Sequence, residues 1–440
     1  MKRKISLSTT VTLVLLTMAL TVSLTMLLAM RHFNNQLQLV SKRQAMYSYI
    51  NEVDKIVREY YPDMNESLLQ QGLAQGYIAG IDDPYAAYYS PDDYRDEKLR
   101  LAGRAKNIGV ELGEMKNTVT GTIDVVVSSV NANSAAARAG IVKGDVVTEV
   151  NGLSVTGRTI QEWQELIRSS TEISLTVHRG EGYPSYPITA DEYDVRSVDS
   201  TVLDNIGYVK IMAFYGNTPA QFKNVVDSLL KQEVRGIVFD LRSNVGGSSK
   251  AVQDMLSQVM PLGAYGTMTD TKGNVTKLTT KVSKGLTLPT VTLIDANTAG
   301  EAEFFAGVLQ EAGLTTVMGQ RSAGKAKYQN IFVLEQNNSA LRLTIGEYGL
   351  MKGGSWEGKG IVPTEVIELP PDYIENPALP YNENPQVQAA VDFLKKSSDK
   401  PNVDPPIGGT TTNPTDPTTT TAPEASGSGT ATITAPSSAN

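Results

Sequence analysis

The most apolar part of the sequence lies close to the amino terminus. Lys2, Arg3 and Lys4 precede an uncharged, mostly apolar run over residues 6–30. At about 1.5 Å per residue, a helix of this length crosses a hydrocarbon core of about 30 Å. An evident small-residue cleavage site is missing, which favours an uncleaved signal anchor over a removed signal peptide. We therefore expect a single-pass protein of the cell membrane, with residues 1–32 as stub and anchor and residues 33–440 extracytoplasmic.

The spacing of apolar positions changes twice after this run. Apolar residues at helical spacing over residues 36–61, and again over 68–78, predict a helical region within residues 33–100. Between residues 103 and 195 the pattern predicts a compact module of short strands with one helix near residues 160–169. Its strands are expected at Ile108 to Leu112, Ile123 to Val130, Val146 to Val150 and Ile173 to Val177.

From Gly207 onward, predicted strands alternate with predicted helices. Strands at residues 237–239 and 291–294 and helices at residues 219–230 and 300–311 indicate an α/β domain over residues 196–375, with some parallel pairing. The fold class is therefore mixed α/β. Residues 397–440 are rich in Thr, Pro, Ser, Gly and Ala, a composition that predicts a disordered tail.

Composition and charge exclude several kinds of chemistry. The chain has no Cys, which removes thiolate nucleophiles, disulfides and Cys-ligated metals. A net charge of -8 with interspersed signs offers no basic face for nucleic acid. Because His32 and His178 are the two histidines, a Ser-His-Asp triad would depend on one of them. Neither a metal nor an organic cofactor is implied.

Residues 103–195 resemble a PDZ domain. The segments that carry this resemblance are Asn107 to Gly113, Ser134 to Gly140, Ile141 to Val147 and Val150 to Gly152. In PDZ domains a glycine-containing loop presents backbone N–H groups to the carboxylate of a peptide, which adds as an extra strand. The resemblance implies that Ile108, Gly109 and Val110 bind the C-termini of proteins or peptides.

Motifs on both sides of this module resemble the carboxyl-terminal processing, or tail-specific, proteases, in that family's order and spacing. They are Asp82 to Tyr85, Gly207 to Ile211, Gly236 to Gly247, Gly324–Lys325 with Gln329, and Trp356 to Pro363. The resemblance covers about residues 45–370 and implies a serine-lysine peptidase that recognises substrate C-termini outside the cytoplasm. Its amino-terminal helical region can mediate dimers, so partners could include an active homologue or a second copy of the chain.

The family's chemistry does not need histidine. A lysine in a dry site has its ammonium form disfavoured, and its neutral amine can accept a proton from a serine hydroxyl. By position, Lys325 matches that general base and Gln329 matches the residue that orients it. The Gly246–Gly247 turn matches the family's source of oxyanion-hole N–H groups.

The sequence departs from the family at the nucleophile. Aligning the family's Ser-Ala-Ser-Glu run with Gly300 to Glu303 places Gly300 at the catalytic serine, and the distance along the chain to Lys325 agrees with this register. Glycine carries no side-chain oxygen, so no acyl-enzyme can form at this position. Hydroxyls that could replace the serine are those of Thr298, Ser322, Ser248 and Ser249, with Thr298 the best placed of the four.

Three functions are compatible with these residues. The first, which we favour, is a catalytically degenerate protease homologue that binds peptide C-termini. The second is a functioning serine-type endopeptidase, either through another hydroxyl or because the chain is an inactivated form of one. The third is a structural envelope protein that uses the anchor and the Thr/Pro-rich tail.

Overall fold

The computed structural model describes residues 7–116, 121–280, 285–369 and 383–398. Its first element is a single helix, α1 (Leu7–Tyr60), which joins the apolar run to the helical stretch predicted over 36–61. Since Leu7–Tyr60 contains neither Gly nor Pro, nothing in the sequence interrupts the helix before Pro62. The expected boundary at residue 32 therefore falls inside a continuous helix.

The apolar part of α1 covers Thr12–Asn34 and has a mean hydropathy of 2.3. It is long enough to span a membrane or to act as a signal sequence. Within it, the hydroxyls of Thr21 and Thr25 donate to backbone carbonyls four residues earlier, at 2.6 and 2.8 Å. These bonds satisfy polar groups that an apolar environment would otherwise penalise.

Three further elements precede the PDZ module: α2 (Glu66–Ala79), β1 (Ala87–Tyr89) and α3 (Pro91–Ala102). The module itself contains β2 (Arg104–Asn107), β3 (Val110–Lys116), β4 (Ile123–Val130), α4 (Ala135–Ala139), β5 (Val146–Val150), β6 (Leu153–Ser154), α5 (Ile160–Ser169), β7 (Glu172–His178), β8 (Ser185–Thr189) and β9 (Asp191–Asp194). An antiparallel sheet in the order β3-β4-β5-β7-β8 packs around Trp163, whose side chain is fully buried. The predicted strands and helix of this module are confirmed.

The second α/β unit consists of β10 (Val198–Leu203), β11 (Ile206–Ile211), α6 (Thr218–Lys231), β12 (Ile237–Asp240), α7 (Ser249–Val259), β13 (Gly263–Asp270), β14 (Val275–Thr280), β15 (Thr290–Ile294), α8 (Glu301–Glu311), β16 (Thr315–Gly319), β17 (Lys327–Leu334), β18 (Ser339–Gly349), β19 (Glu365–Val366) and α9 (Pro385–Ser398). Its main sheet runs β10-β11-β12-β15-β16-β19, and every pairing after β10-β11 is parallel. The predicted α/β character and parallel pairing are confirmed.

One face of the main sheet packs against helices and a second sheet. On one face, Phe222 of α6, Phe239 of β12 and Phe305 of α8 form a buried aromatic cluster with ring centroids 5.6 to 6.2 Å apart. Strands β13, β14, β17, β18 and β1 form a second, antiparallel sheet that packs into the same core.

Helix α9 covers the other face of the main sheet. Its Val387, Ala390 and Leu394 pack against the strands with no exposed surface. The helix therefore extends the packed unit beyond residue 375, where the sequence pattern placed its end. It also includes Ser397 and Ser398, the first residues of the predicted tail, and residues 399–440 lie outside the described residues.

Candidate active site

The candidate site lies where parallel strands β12 and β15 end and helices α7 and α8 begin. In open α/β sheets, ligands bind at the carboxyl ends of the strands, in this kind of crevice. The loop after β12 carries Gly246 and Gly247, and the loop after β15 carries Gly300. Lys325 approaches from the segment just before β17. The structure therefore brings together the residues that the sequence assigned to a nucleophile, a base and an oxyanion hole.

Gly300 occupies the N-cap position of α8 with φ +62° and ψ −123°. A Cβ built on this residue would lie 4.0 Å from Lys325 Cδ and 3.5 Å from the Val245 carbonyl oxygen. A side chain at position 300 would thus have room and would start beside the lysine. The backbone conformation is one that non-glycine residues adopt only with strain.

The amine of Lys325 lies over the ring of Tyr85, with Nζ 4.5 Å from the ring centroid. Burial lowers the pKa of Lys325 below the ordinary lysine value, although the carboxylate of Glu301 acts in the opposite direction. Burial is the larger effect, so Lys325 loses its proton more readily than an exposed lysine, which is the direction that a general base requires. Tyr85 belongs to one of the sequence motifs, yet its position gave no sign that it would contact the lysine.

Gln329 does not orient Lys325 in this structure. Its side-chain Nε2 donates to the Lys327 carbonyl at 3.1 Å and to Thr344 Oγ1 at 3.3 Å. Gln329 is on strand β17 and pairs with Thr344 of β18, which turns its amide along the sheet. The role expected for Gln329 is therefore absent from the described contacts.

Glu303 links the two halves of the site, which the sequence analysis did not anticipate. Its buried carboxylate accepts hydrogen bonds from the backbone N–H of Gly300 at 3.0 Å and of Lys325 at 2.7 Å. The Gly324 N–H and the Ser322 hydroxyl also donate to it, at 2.7 and 2.6 Å. One carboxylate therefore holds position 300 next to the lysine. The available signal was a Glu three residues after the N-cap of a predicted helix, the spacing at which a carboxylate accepts from the N-cap backbone N–H.

The proposed oxyanion donors are already engaged. Gly247 N–H donates to Glu301 Oε2 at 2.9 Å, and Gly246 N–H donates to Asn244 Oδ1 at 2.9 Å. The same Glu301 carboxylate accepts from the hydroxyl of Tyr348 at 3.1 Å. A Cβ at Gly246 would lie 2.4 Å from Glu301 Oε2, so the turn leaves space for the carboxylate because position 246 is glycine. The turn carries the expected glycines, but in this conformation it offers no free donor from Gly246 or Gly247.

The alternative hydroxyls have structural partners. Thr298 is buried, and its Oγ1 lies 3.0 Å from the Leu241 carbonyl and 2.9 Å from Asp295 Oδ1. Ser322 donates to Glu303, and Ser248 caps α7 by accepting from Ala251 N–H at 3.3 Å. The Ser249 hydroxyl contacts Tyr348 and lies 3.4 Å from Glu301 Oε1.

The predicted peptide-binding loop lies at the start of β3. Ile108 and Val110 are buried, and Gly109 has φ +81°. Gly109 N–H donates to the side chain of Asn107 at 2.7 Å, and the hydroxyl of Tyr193 donates to the same oxygen at 2.8 Å. A carboxylate that used Gly109 N–H would have to displace Asn107.

Comparisons with known proteins agree with this architecture. The model of peptidase family S41 matches residues 205–367, and a PDZ domain model matches residues 126–179. The carboxy-terminal processing protease CtpA of Bacillus subtilis is 30% identical over 332 residues, which are 74% of this chain and 69% of that protein. A carboxy-terminal-processing protease of Bartonella bacilliformis is 28% identical, over 72% of this chain and 74% of that protein.

The chain belongs to the carboxyl-terminal processing proteases of peptidase family S41, with a PDZ domain before the protease core. A solved structure described as an S41 protease from Bacteroides fragilis is 17% identical, with a TM-score of 0.53. The match covers 79% of this chain and 97% of the other. At this level of identity the likeness concerns the fold alone.

Proposed function

We propose that this chain is a membrane-anchored, extracytoplasmic member of its family that binds peptide C-termini and has no peptidase activity. The observation that carries the second part is the pair Gly300–Glu301. Position 300 has no hydroxyl, and the next side chain places a carboxylate on the Gly247 N–H. A tetrahedral intermediate would need both a nucleophile and a free donor for its oxyanion.

The partly buried Lys325 does not compensate for these losses. Lys325 retains a lowered pKa, but a general base without a hydroxyl to deprotonate gives no covalent route. The hydroxyls of Thr298 and Ser322 are buried within structural hydrogen bonds, which argues against the alternative of a working peptidase.

Anchoring is supported by the apolar segment Thr12–Asn34 and by the length of α1. The helix continues from this segment to Tyr60, so it can carry the folded units away from a bilayer surface. Peptide binding is supported by the PDZ domain. A second copy of the chain or an active relative could act as a partner. The alternative of a purely structural role in the envelope would require neither peptide binding nor such a partner.

To test the proposal, the full-length chain in detergent micelles is incubated with an unstructured protein that ends in apolar residues. The products are then analysed by mass spectrometry. We expect no fragments above those given by the Lys325→Ala variant. The B. subtilis relative serves as the positive control for the substrate. Fragments that require Lys325 would contradict the proposed loss of activity.

A further inference from the structure

One edge of strand β3 faces helix α5 across the groove of the PDZ domain. Among the described strands, β3 pairs with β4 only and lies at the end of its sheet. The other edge therefore offers backbone groups to a peptide that adds as a strand.

The side chain of Gln164 already occupies this edge. Its Oε1 accepts from Leu112 N–H at 2.7 Å, and its Nε2 donates to the Val110 carbonyl at 3.0 Å. One amide thus satisfies both a donor and an acceptor on the edge of β3. An added strand has to form hydrogen bonds with the same backbone groups.

The helix that carries Gln164 is fixed in place. Trp163 and Ile167 on either side are buried in the module core, and Thr159 and Glu162 form a capping box at its start. The indole N–H of Trp163 also donates to the Val155 carbonyl at 3.1 Å. Because the helix is packed in this way, opening the edge requires a rotation of the Gln164 side chain away from β3.

A second contact crosses the groove nearby but is weaker. Arg168 Nη2 lies 3.3 Å from Glu111 Oε2, and both side chains are 54% exposed. An exposed ion pair of this kind contributes little to stability and is screened by salt. Gln164 is therefore the main internal competitor for the edge of β3.

We propose that Gln164 is an intramolecular gate on the PDZ groove: its side chain occupies the edge of β3 and thereby lowers the apparent affinity for peptides. This inference rests on the proposed binding of peptide C-termini. A peptide binds only if its own hydrogen bonds replace those of the amide, so the apparent affinity is the intrinsic affinity multiplied by the fraction of molecules in the open state. Removing the amide leaves the two backbone groups free to water and to the peptide.

The test compares the full-length chain in detergent micelles with the variants Gln164→Ala and Gln161→Ala. Gln161 is exposed on the same helix, so its replacement makes the same chemical change without touching β3. The probe is a fluorescein-labelled peptide that ends in Leu-Val-Leu with a free carboxyl group, and binding is read by fluorescence anisotropy. Hydrogen exchange at the Leu112 amide is measured on the same three proteins without peptide.

We expect Gln164→Ala to bind the peptide about fivefold to thirtyfold more tightly, the equivalent of losing one or two neutral hydrogen bonds. Exchange at Leu112 should become faster in this variant alone, and Gln161→Ala should match the wild type. Equal or weaker binding by Gln164→Ala, with the wild type still binding, would overturn the gate and leave the proposed function intact. Unchanged exchange at Leu112 would also overturn it. Failure of all three proteins to bind would contradict the proposed peptide binding and the gate together.

Discussion

Restoring a serine at position 300 should not be enough to make this protein a protease. The Gly300→Ser side chain would start 4.0 Å from Lys325 Cδ, which supplies a hydroxyl next to the base. Glu301 would still hold the Gly247 N–H and would still raise the pKa of Lys325. The double variant Gly300→Ser/Glu301→Ala removes both obstacles, since it frees the donor and leaves burial to lower the pKa unopposed by Glu301.

The expected gain can be estimated from the contacts. An oxyanion-hole donor is typically worth about 100-fold or more in kcat, so the double variant should exceed the single one by about that factor. The cost lies in the backbone, because a non-glycine residue at φ +62° is strained by about 1–3 kcal/mol. Truncating Glu301 leaves Ser249 and Tyr348 in contact with each other, so their hydroxyls retain a partner.

A fluorogenic peptide with an apolar C-terminus provides the assay, with the full-length chain in detergent micelles. The matched control is Gly300→Ala/Glu301→Ala, which has the same strain and the same free donor but no nucleophile. Lys325→Ala in the serine background tests the base, and circular dichroism confirms folding. A double variant that does not exceed the single variant would show that Glu301 is not the obstacle, and an equally active alanine control would show that the new serine is not the nucleophile.

Four other changes test separate contacts. Glu303→Gln should destabilise the protein by about 2–4 kcal/mol in chemical denaturation, because an amide cannot accept four hydrogen bonds and its N–H groups face backbone donors. Asp240→Asn should cost about 3–5 kcal/mol, since Lys210 and Arg242 would lose their buried counter-charge; an unchanged midpoint would contradict either estimate. Lys325→Met should be more stable than the wild type at neutral pH. The difference in unfolding free energy should shrink as pH rises from the lowered pKa of Lys325 towards the ordinary lysine value, because in this range the unfolded wild-type chain binds more protons than the folded one. A difference that is independent of pH would argue against a lowered pKa for Lys325. Peptides with an amidated C-terminus should bind the PDZ domain more weakly than free acids in anisotropy titrations, and equal binding would rule out capture of the carboxylate near Gly109.

Periodicity and family motifs were sufficient for most of the fold. Strands with β-branched runs, such as Val291 to Ile294, and helices with clear apolar faces, such as α6, were found close to their predicted positions. Helix α9 went unpredicted, although its apolar residues Val387, Ala390, Val391 and Leu394 recur at helical spacing and could have indicated it. The boundary predicted at residue 32 lies two residues before the end of the apolar segment Thr12–Asn34, but hydropathy did not show that α1 continues unbroken to Tyr60.

The sequence indicated which residues lie in the candidate site, but not which hydrogen bonds their side chains form. The structure places Gly300, Lys325 and the Gly246–Gly247 turn next to one another, and their assignment to a nucleophile position, a base and an oxyanion hole stays a prediction. It could not show that Glu301 would fold back onto Gly247, since that contact joins residues 54 positions apart through side-chain rotamers. Gln164 on the edge of β3 was missed for the same reason. Both are polar side chains that hydrogen-bond to backbone groups more than 50 positions away, which a linear pattern does not distinguish from surface residues.

We propose above that this member of the family has no peptidase activity, and the loss of the serine at position 300 means that it should form no acyl-enzyme. To test this, the full-length chain is exposed to an excess of a fluorophosphonate, a reagent that phosphonylates activated serines. Intact mass spectrometry then shows whether the chain has gained a phosphonyl group. The wild-type chain should keep its unmodified mass, while Gly300→Ser/Glu301→Ala should gain one phosphonyl group on the new serine. A wild-type chain that gains one such group, and loses this reactivity in the Lys325→Ala variant, would contradict the account.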